Sequence, residues 1–193
     1  MSHRQVEEDD PLIDAARASV MAVGVRRTTM AEVARRAELS RQTAYRRHPD
    51  VASLLSSLMT REFGRVLARA AAEVGDPSTG REQVVARTVL GGRMLAADPL
   101  FTRILDIDPE LLLPYVVERL GEVQKLVIAE LGGLIAAGIA DGSIREERPE
   151  RLAAAVELLA RGFLLGAHAE RDDDLDPWDE LALALDGYLR PAP

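Results

Sequence analysis

Between Thr28 and Leu54 the chain reads TTMAEVARRAELSRQTAYRRHPDVASL, and few local folds accommodate that order of residues. Thr29-x-x-Glu32 has the form of a capping box, in which each side chain serves orphan amide donors at a helix start. Met30, Val33, Ala34 and Ala37 follow at i, i+3, i+4 and i+7, one apolar face of a short helix. Ser40 is a good N-cap for a second short helix. Ala44 and His48 share a face of that helix and are expected to pack inward. Asp50 is placed to cap a third. The spacing therefore predicts two short helices joined by a tight turn, with a long helix beginning directly after them.

The second helix is crowded with hydrogen-bond donors: Arg41, Gln42, Thr43, Tyr45, Arg46 and Arg47. Arg41, Gln42 and Thr43 fill its first turn, the part that reaches base edges in a helix-turn-helix. A short donor-rich helix on a small apolar core is what reading a DNA groove requires.

The net charge is −8, which is unusual for a DNA binder until it is divided along the chain. Arg26, Arg27, Arg35, Arg36, Arg41, Arg46 and Arg47 stand against Glu32 and Glu38 between residues 26 and 47, a local charge of +5 that leaves −13 for the rest. A basic patch on an acidic body focuses DNA binding to one face. Arg35 and Arg36 also fit a plain solvated helix face.

With those residues in place, the stretch from Leu12 to Leu58 resembles the DNA-binding domain of TetR-family transcriptional regulators. The matching residues are Gly24, Thr28, Thr29, Met30, Val33, Ala34, Ala37, Leu39, Ser40, Thr43, Tyr45, Pro49 and Leu54. The chain departs from the family's pattern at Glu38, where Gly is usual at the turn, at His48, where Phe is usual, and at Val51, where a Lys often contacts phosphate. A left-handed backbone at residue 38 would cost a side chain about 1–2 kcal/mol. The resemblance implies a homodimer that binds a double-stranded DNA operator and responds to a small-molecule effector, usually hydrophobic or amphipathic. DNA contacts are expected at Thr29, Ser40, Arg41, Gln42, Thr43, Tyr45, Arg46 and Arg47.

The rest of the chain reads as helix. Ile13, Ala16, Val20 and Val23 make a core stripe over about 12–23, ahead of a C-terminal cap at Gly24. Leu55, Met59, Phe63, Val66 and Ala70 mark one face of a helix over about 51–74, which the Gly- and Pro-containing run 75–80 ends. Further helices are expected at about 81–97, 99–107, 114–140, 149–169 and 177–189. Asp98-Pro99, Asp108-Pro109 and Asp176-Pro177 each pair a capping Asp with Pro at the first helical position. The expected fold is all-α. Residues 1–10 form a disordered arm, 11–50 a three-helix DNA-binding domain, and 51–193 a connecting helix plus a ligand-binding and dimerisation domain.

Two further sets of residues are singled out. Val156, Leu159, Phe163, Gly166, Trp178, Leu181, Leu185 and Tyr188 form stripes on the last two helices that would pair two copies as a four-helix interface. A mainly apolar cavity with a few polar groups would draw on Phe63, Leu67, Met94, Phe101, Leu105, Tyr115, Leu120, Gln124, Arg161 and His168.

Other chemistry is not supported. No Gly-rich phosphate loop or nucleophile elbow occurs. The chain has no Cys, and His3, His48 and His168 are too scattered for a zinc site, so no metal, cofactor or catalytic residue is expected. No uninterrupted run of about 18 apolar residues is present and the N-terminus is polar, so neither a membrane span nor a secretory signal is expected, and a cytoplasmic location follows. The competing reading is a helical ligand sensor or protein-interaction module that has lost DNA binding, motivated by Glu38, His48 and Val51.

Overall fold

The computed structural model describes residues 10–108, 121–167 and 176–192. Those residues contain helices and connecting turns and no strand. They divide into two units, Met1–Arg65 with Asp98–Glu122, and Val66–Ala97 with Val123–Pro193.

In the first unit, α1 (Pro11–Val23) starts where the Asp10 carboxylate accepts the Leu12 N–H at 2.9 Å, with Pro11 at the first helical position. Asp10 is therefore not part of an arm; it caps the helix. Leu12, Ile13, Ala16 and Val20 are buried. Val23 was expected among them but is 41% exposed, because it is the last residue before Gly24 turns the chain at φ +82°. Then come α2 (Met30–Arg36) and α3 (Arg41–Arg47), followed by α4 (Val51–Val74), whose start is capped by Asp50 accepting the Ser53 N–H at 2.7 Å. Leu54 and Leu58 of α4 are fully buried with Met30, Val33, Ala34 and Ala44.

The same core contains residues from much later in the chain. Asp98 caps α6 (Pro99–Ile107) through the Leu100 and Phe101 N–H groups, and Leu100 and Ile104 pack into the core of α1 to α4. The core around the short helices therefore extends past residue 50, the boundary expected from sequence. The small core of three short helices is completed by the first half of α4 and by α6, which add Leu54, Leu58, Leu100 and Ile104 to Leu12, Ile13 and Val20.

The second unit is built from the end of α4, α5 (Gly80–Ala96), α7 (Glu122–Ala140), α8 (Pro149–Ala167) and α9 (Pro177–Leu189). Thr79 and Glu82 form a complete reciprocal capping box at the start of α5, in the run read from sequence only as a helix breaker. Gly80 and Gly138 meet backbone to backbone, closer than any Cβ would permit. The contact is fastened by Asp141 accepting the Gly80 N–H at 2.7 Å and Ser143 Oγ accepting the Arg81 N–H at 3.1 Å. Val84, Leu131, Ile135, Ile144, Leu152, Val156, Trp178, Leu181, Leu185 and Leu189 form the core. Asp176 caps α9 as expected, accepting the Trp178 N–H at 2.9 Å.

By length and composition α7 is apolar enough to cross a membrane, with a mean hydropathy of 1.6. Reading for an uninterrupted run missed this because Lys125 and Glu130 interrupt the helix. Its Leu131, Ile135 and Gly138 are buried in the second unit. Of the expected helix over 114–140, the part before Gly121 lies outside the described residues, as do residues 168 and 169 of the helix expected over 149–169.

Candidate DNA-binding interface

Ser40 holds α3 by its first turn, its Oγ accepting the Thr43 N–H at 3.1 Å and lying 2.9 Å from the Thr43 hydroxyl. Ala44, fully buried, and His48, at the C-terminal cap, anchor the inner side. The outer side is left with Arg41, Gln42, Tyr45, Arg46 and Arg47, all exposed. Tyr45 is 51% exposed, far more than an amphipathic ring in a core. Thr43 is half-buried beside the cap.

The turn that presents α3 has a left-handed residue that is not glycine. Glu38 has φ +57°. Its N–H donates to the Arg35 carbonyl at 3.3 Å, and the Leu39 N–H to the Ala34 carbonyl at 2.9 Å. These are the two bonds of a Schellman motif, whose left-handed position is usually Gly.

The basic residues are not equally available. Glu32 binds both Arg35 (2.7 Å) and Arg36 (2.9 Å), and these guanidinium groups hold its carboxyl down at about 2. The capping box expected here is consequently one-sided. Thr29 Oγ1 accepts the Glu32 N–H at 3.3 Å, while the Glu32 carboxylate is turned to the arginines. Arg47 is tied to Asp10 at 3.1 Å, which also lies 3.9 Å from His48 Nε2. Arg41 and Arg46 have no ion pair among the described residues, and they stand on the exposed side of α3 with Gln42 and Tyr45.

One contributor is not visible from the local sequence. Asp108, 2% exposed at the end of α6, accepts the Val25 N–H at 2.8 Å and lies 3.5 Å from Arg26 Nε. The only signal for it was an Asp-Pro pair that reads as a helix cap.

The other predicted sets are partly reassigned. Val156, Trp178, Leu181 and Leu185 are buried in the core of their own unit, so they are not available as a surface for a second copy. Leu159, Phe163 and Tyr188 are half-buried and Gly166 is exposed. The outward apolar residues of α8 and α9 are Leu158, 61% exposed, and Leu183, 68% exposed. Apolar periodicity marks a face that is buried without saying against what, and here the chain's own helices cover it.

Among the ligand candidates, Phe63 and Phe101 pack edge to face in the first unit, 5.8 Å between centroids, and both are buried; Leu105 is half-buried there. Leu67, Met94 and Gln124 are half-buried in the second unit. Arg161 is paired with Glu157 at 3.2 Å, and burial pushes the Glu157 carboxyl above its usual range against the pull of Arg161. Tyr115, Leu120 and His168 lie outside the described residues.

Comparison with known proteins agrees with this geometry. The family described as bacterial regulatory proteins, tetR family, matches residues 12–58. An HTH-type transcriptional regulator of Mycobacterium tuberculosis (strain H37Rv) is 35% identical over 192 residues, covering 98% of each chain, and one of Mycobacterium bovis is equally similar. Among solved structures, the transcriptional repressor QsdR of R. erythropolis has the same fold with a TM-score of 0.70, 17% identity and 98% of each chain covered. A TetR-family transcriptional regulator of Pectobacterium atrosepticum gives a TM-score of 0.71 at 20% identity, again covering 98% of each chain. A donor-bearing α3 behind a Schellman turn, a full-length relative at 35% identity and a matching fold together show that this chain belongs to the TetR family of bacterial transcriptional regulators and is a DNA-binding helix-turn-helix protein, not an enzyme.

Proposed function

We propose that the protein is a homodimeric repressor that reads a palindromic operator and is released by a small-molecule effector. The observation that carries the DNA contacts is the exposed side of α3. Arg41 and Gln42 reach base edges, since Arg matches guanine and Gln matches adenine by bidentate geometry. Thr29, Ser40, Thr43, Tyr45 and Arg46 hold phosphates, with Arg47 joining when it exchanges Asp10 for the backbone. Two copies would place two α3 helices about one DNA turn apart, or a multiple of that.

For the dimer, the outward faces of α8 and α9 support pairing through Leu158, Gly162, Leu183 and Gly187, with Phe163 and Tyr188 at the edge. Exposed leucines beside exposed glycines suit interdigitation of helices from two copies. Repression is supported by the fold shared with QsdR, itself a repressor. An effector need contribute only about 1–3 kcal/mol of coupling to change operator affinity by about 5- to 150-fold.

The test is selection of duplexes from a random pool by the full chain. The expected result is enrichment of an inverted repeat, with Arg41→Ala losing about 1–3 kcal/mol and its preference at one base of each half-site. Unchanged selectivity in Arg41→Ala would remove the base-reading role.

A further inference from the structure

We propose that Asp10 is a counter-ion exchanged on DNA binding: it holds Arg47 in the free protein and passes to a protonated His48 when Arg47 moves to a phosphate. This rests on the reading of α3 as the DNA-contacting helix and adds a proton to it. The three residues meet where the end of α3 lies against the start of α1. Asp10 Oδ1 accepts the Leu12 N–H at 2.9 Å and an Arg47 Nη1–H at 3.1 Å. Asp10 Oδ2 lies 3.9 Å from His48 Nε2. The two oxygens are thus divided: one caps α1 and pairs with Arg47, and the other faces the imidazole.

The exposures decide which group moves. The Arg47 side chain is 44% exposed, while those of Asp10 and His48 are each 11% exposed. An ion pair with one exposed member is weak, and a phosphate can take Arg47 from it. Asp10 cannot follow, because it is fixed as the cap of α1. With only the Leu12 N–H left, a nearly buried carboxylate is costly unless another charge pairs with it. His48 is the group within reach, and histidine is the side chain whose ordinary titration falls between about pH 5 and 8. The other charged groups on the surrounding elements face elsewhere. Asp14 of α1 pairs with Arg61 of α4, and Arg17 of α1 with Glu62 of α4. Glu32 of α2 binds Arg35 and Arg36, Asp50 caps α4, and Asp108 of α6 faces Val25 and Arg26. A proton taken by His48 from solvent keeps the Asp10 carboxylate paired in the complex. The complex then holds more protons than the free protein, so affinity rises as pH falls.

The test measures the affinity of the full chain for a duplex selected from a random pool and for calf-thymus DNA, across about pH 8 to 6. Wild-type affinity for both should rise as pH falls, by at most about tenfold per pH unit, the limit for one proton. Asp10→Asn removes the charge and keeps the cap, since Asn is as good an N-cap as Asp. It should bind both DNAs about two- to fivefold more tightly at the high-pH end and lose the pH dependence. That gain should vanish in an Arg47→Gln background, which separates release of Arg47 from the mere loss of a negative charge. His48→Gln should lose the pH dependence while Asp10 stays charged. Weaker binding by Asp10→Asn, a gain that persists in the Arg47→Gln background, or wild-type pH dependence in His48→Gln would overturn the proposal. Should Asp10→Asn fail to fold, His48→Gln carries the test alone. If Arg41→Ala loses base preference while the Asp10 and His48 variants bind as the wild type does, α3 reads DNA and the exchange alone is wrong.

Discussion

Glu38 supplies a prediction whose size can be worked from the backbone. At φ +57° its Cβ crowds the following carbonyl, at a cost of about 1–2 kcal/mol that glycine does not bear. Glycine loses more freedom on folding, which returns about 0.4–1 kcal/mol of that gain. Glu38→Gly should therefore stabilise the first unit by about 1 kcal/mol. The substitution also removes an exposed negative charge beside the DNA-reading helix, so Glu38→Ala is needed as a reference. It removes the same charge and keeps the strain. The assay is native-state amide exchange at Val33 and Ala44, buried residues on either side of the turn. Exchange in Glu38→Gly should be about fivefold slower than in Glu38→Ala, the factor that about 1 kcal/mol implies. Any gain in operator affinity from the lost charge should be the same in both. Equal exchange in the two variants would refute the argument from strain.

The second unit offers its own tests, read by Trp178, the sole tryptophan. Gly92→Ala would put a methyl group where the Trp178 ring sits, so it should destabilise this unit by about 1–3 kcal/mol and shift tryptophan emission; unchanged emission and unfolding midpoint would contradict the packing. Burial raises the Glu157 carboxyl above 4.5, so its contribution is fully present below its unfolded-state pKa and is lost as pH rises through the raised folded value. Glu157→Gln should remove that decline in urea unfolding followed by tryptophan emission, and an identical pH slope in the variant would count against it. Leu158→Asp with Leu183→Asp should yield monomers in sedimentation, whereas Leu181→Asp, at a fully buried site, should unfold the unit; a doubly charged variant that still sediments as a dimer would exclude the α8–α9 face.

What was legible in the sequence was chiefly local physics. Ser40, Asp50, Asp98 and Asp176 were each read as caps, and each accepts a backbone N–H two or three residues ahead. The donor-rich side of α3 was equally plain, because six of its seven residues carry hydrogen-bond donors and only Ala44 is buried. Partner choice was not legible. Glu32 looked like half of a capping box, but two arginines one turn ahead compete for the same carboxylate and win. Thr79 and Glu82 do form the box, inside a run whose Gly and Pro content drew attention away from it. The stripe of Trp178, Leu181 and Leu185 lies in the core of the second unit, and periodicity does not distinguish the chain's own core from a second copy. Asp108 was beyond reach, its contact to Val25 being set only by the folded path of the chain.

Because α6 lies in the core of the first unit while α5 belongs to the second, the DNA-reading head is discontinuous along the chain. Three chain crossings, near Arg65, Asp98 and Glu122, define it. A fragment ending in the α4–α5 loop would keep every residue of the helix-turn-helix and still leave Leu100, Ile104 and the Asp108 carboxylate behind. Exchange of heads between relatives at a single joint would likewise pair α1 to α4 of one parent with α6 of the other. The segment Pro99–Asp108 must therefore travel with the head, and residues facing it from Leu12, Leu54 and Leu58 are constrained to change together with it. Inheritance of DNA specificity and inheritance of the effector-binding body are thus interleaved in one reading frame instead of being joined end to end.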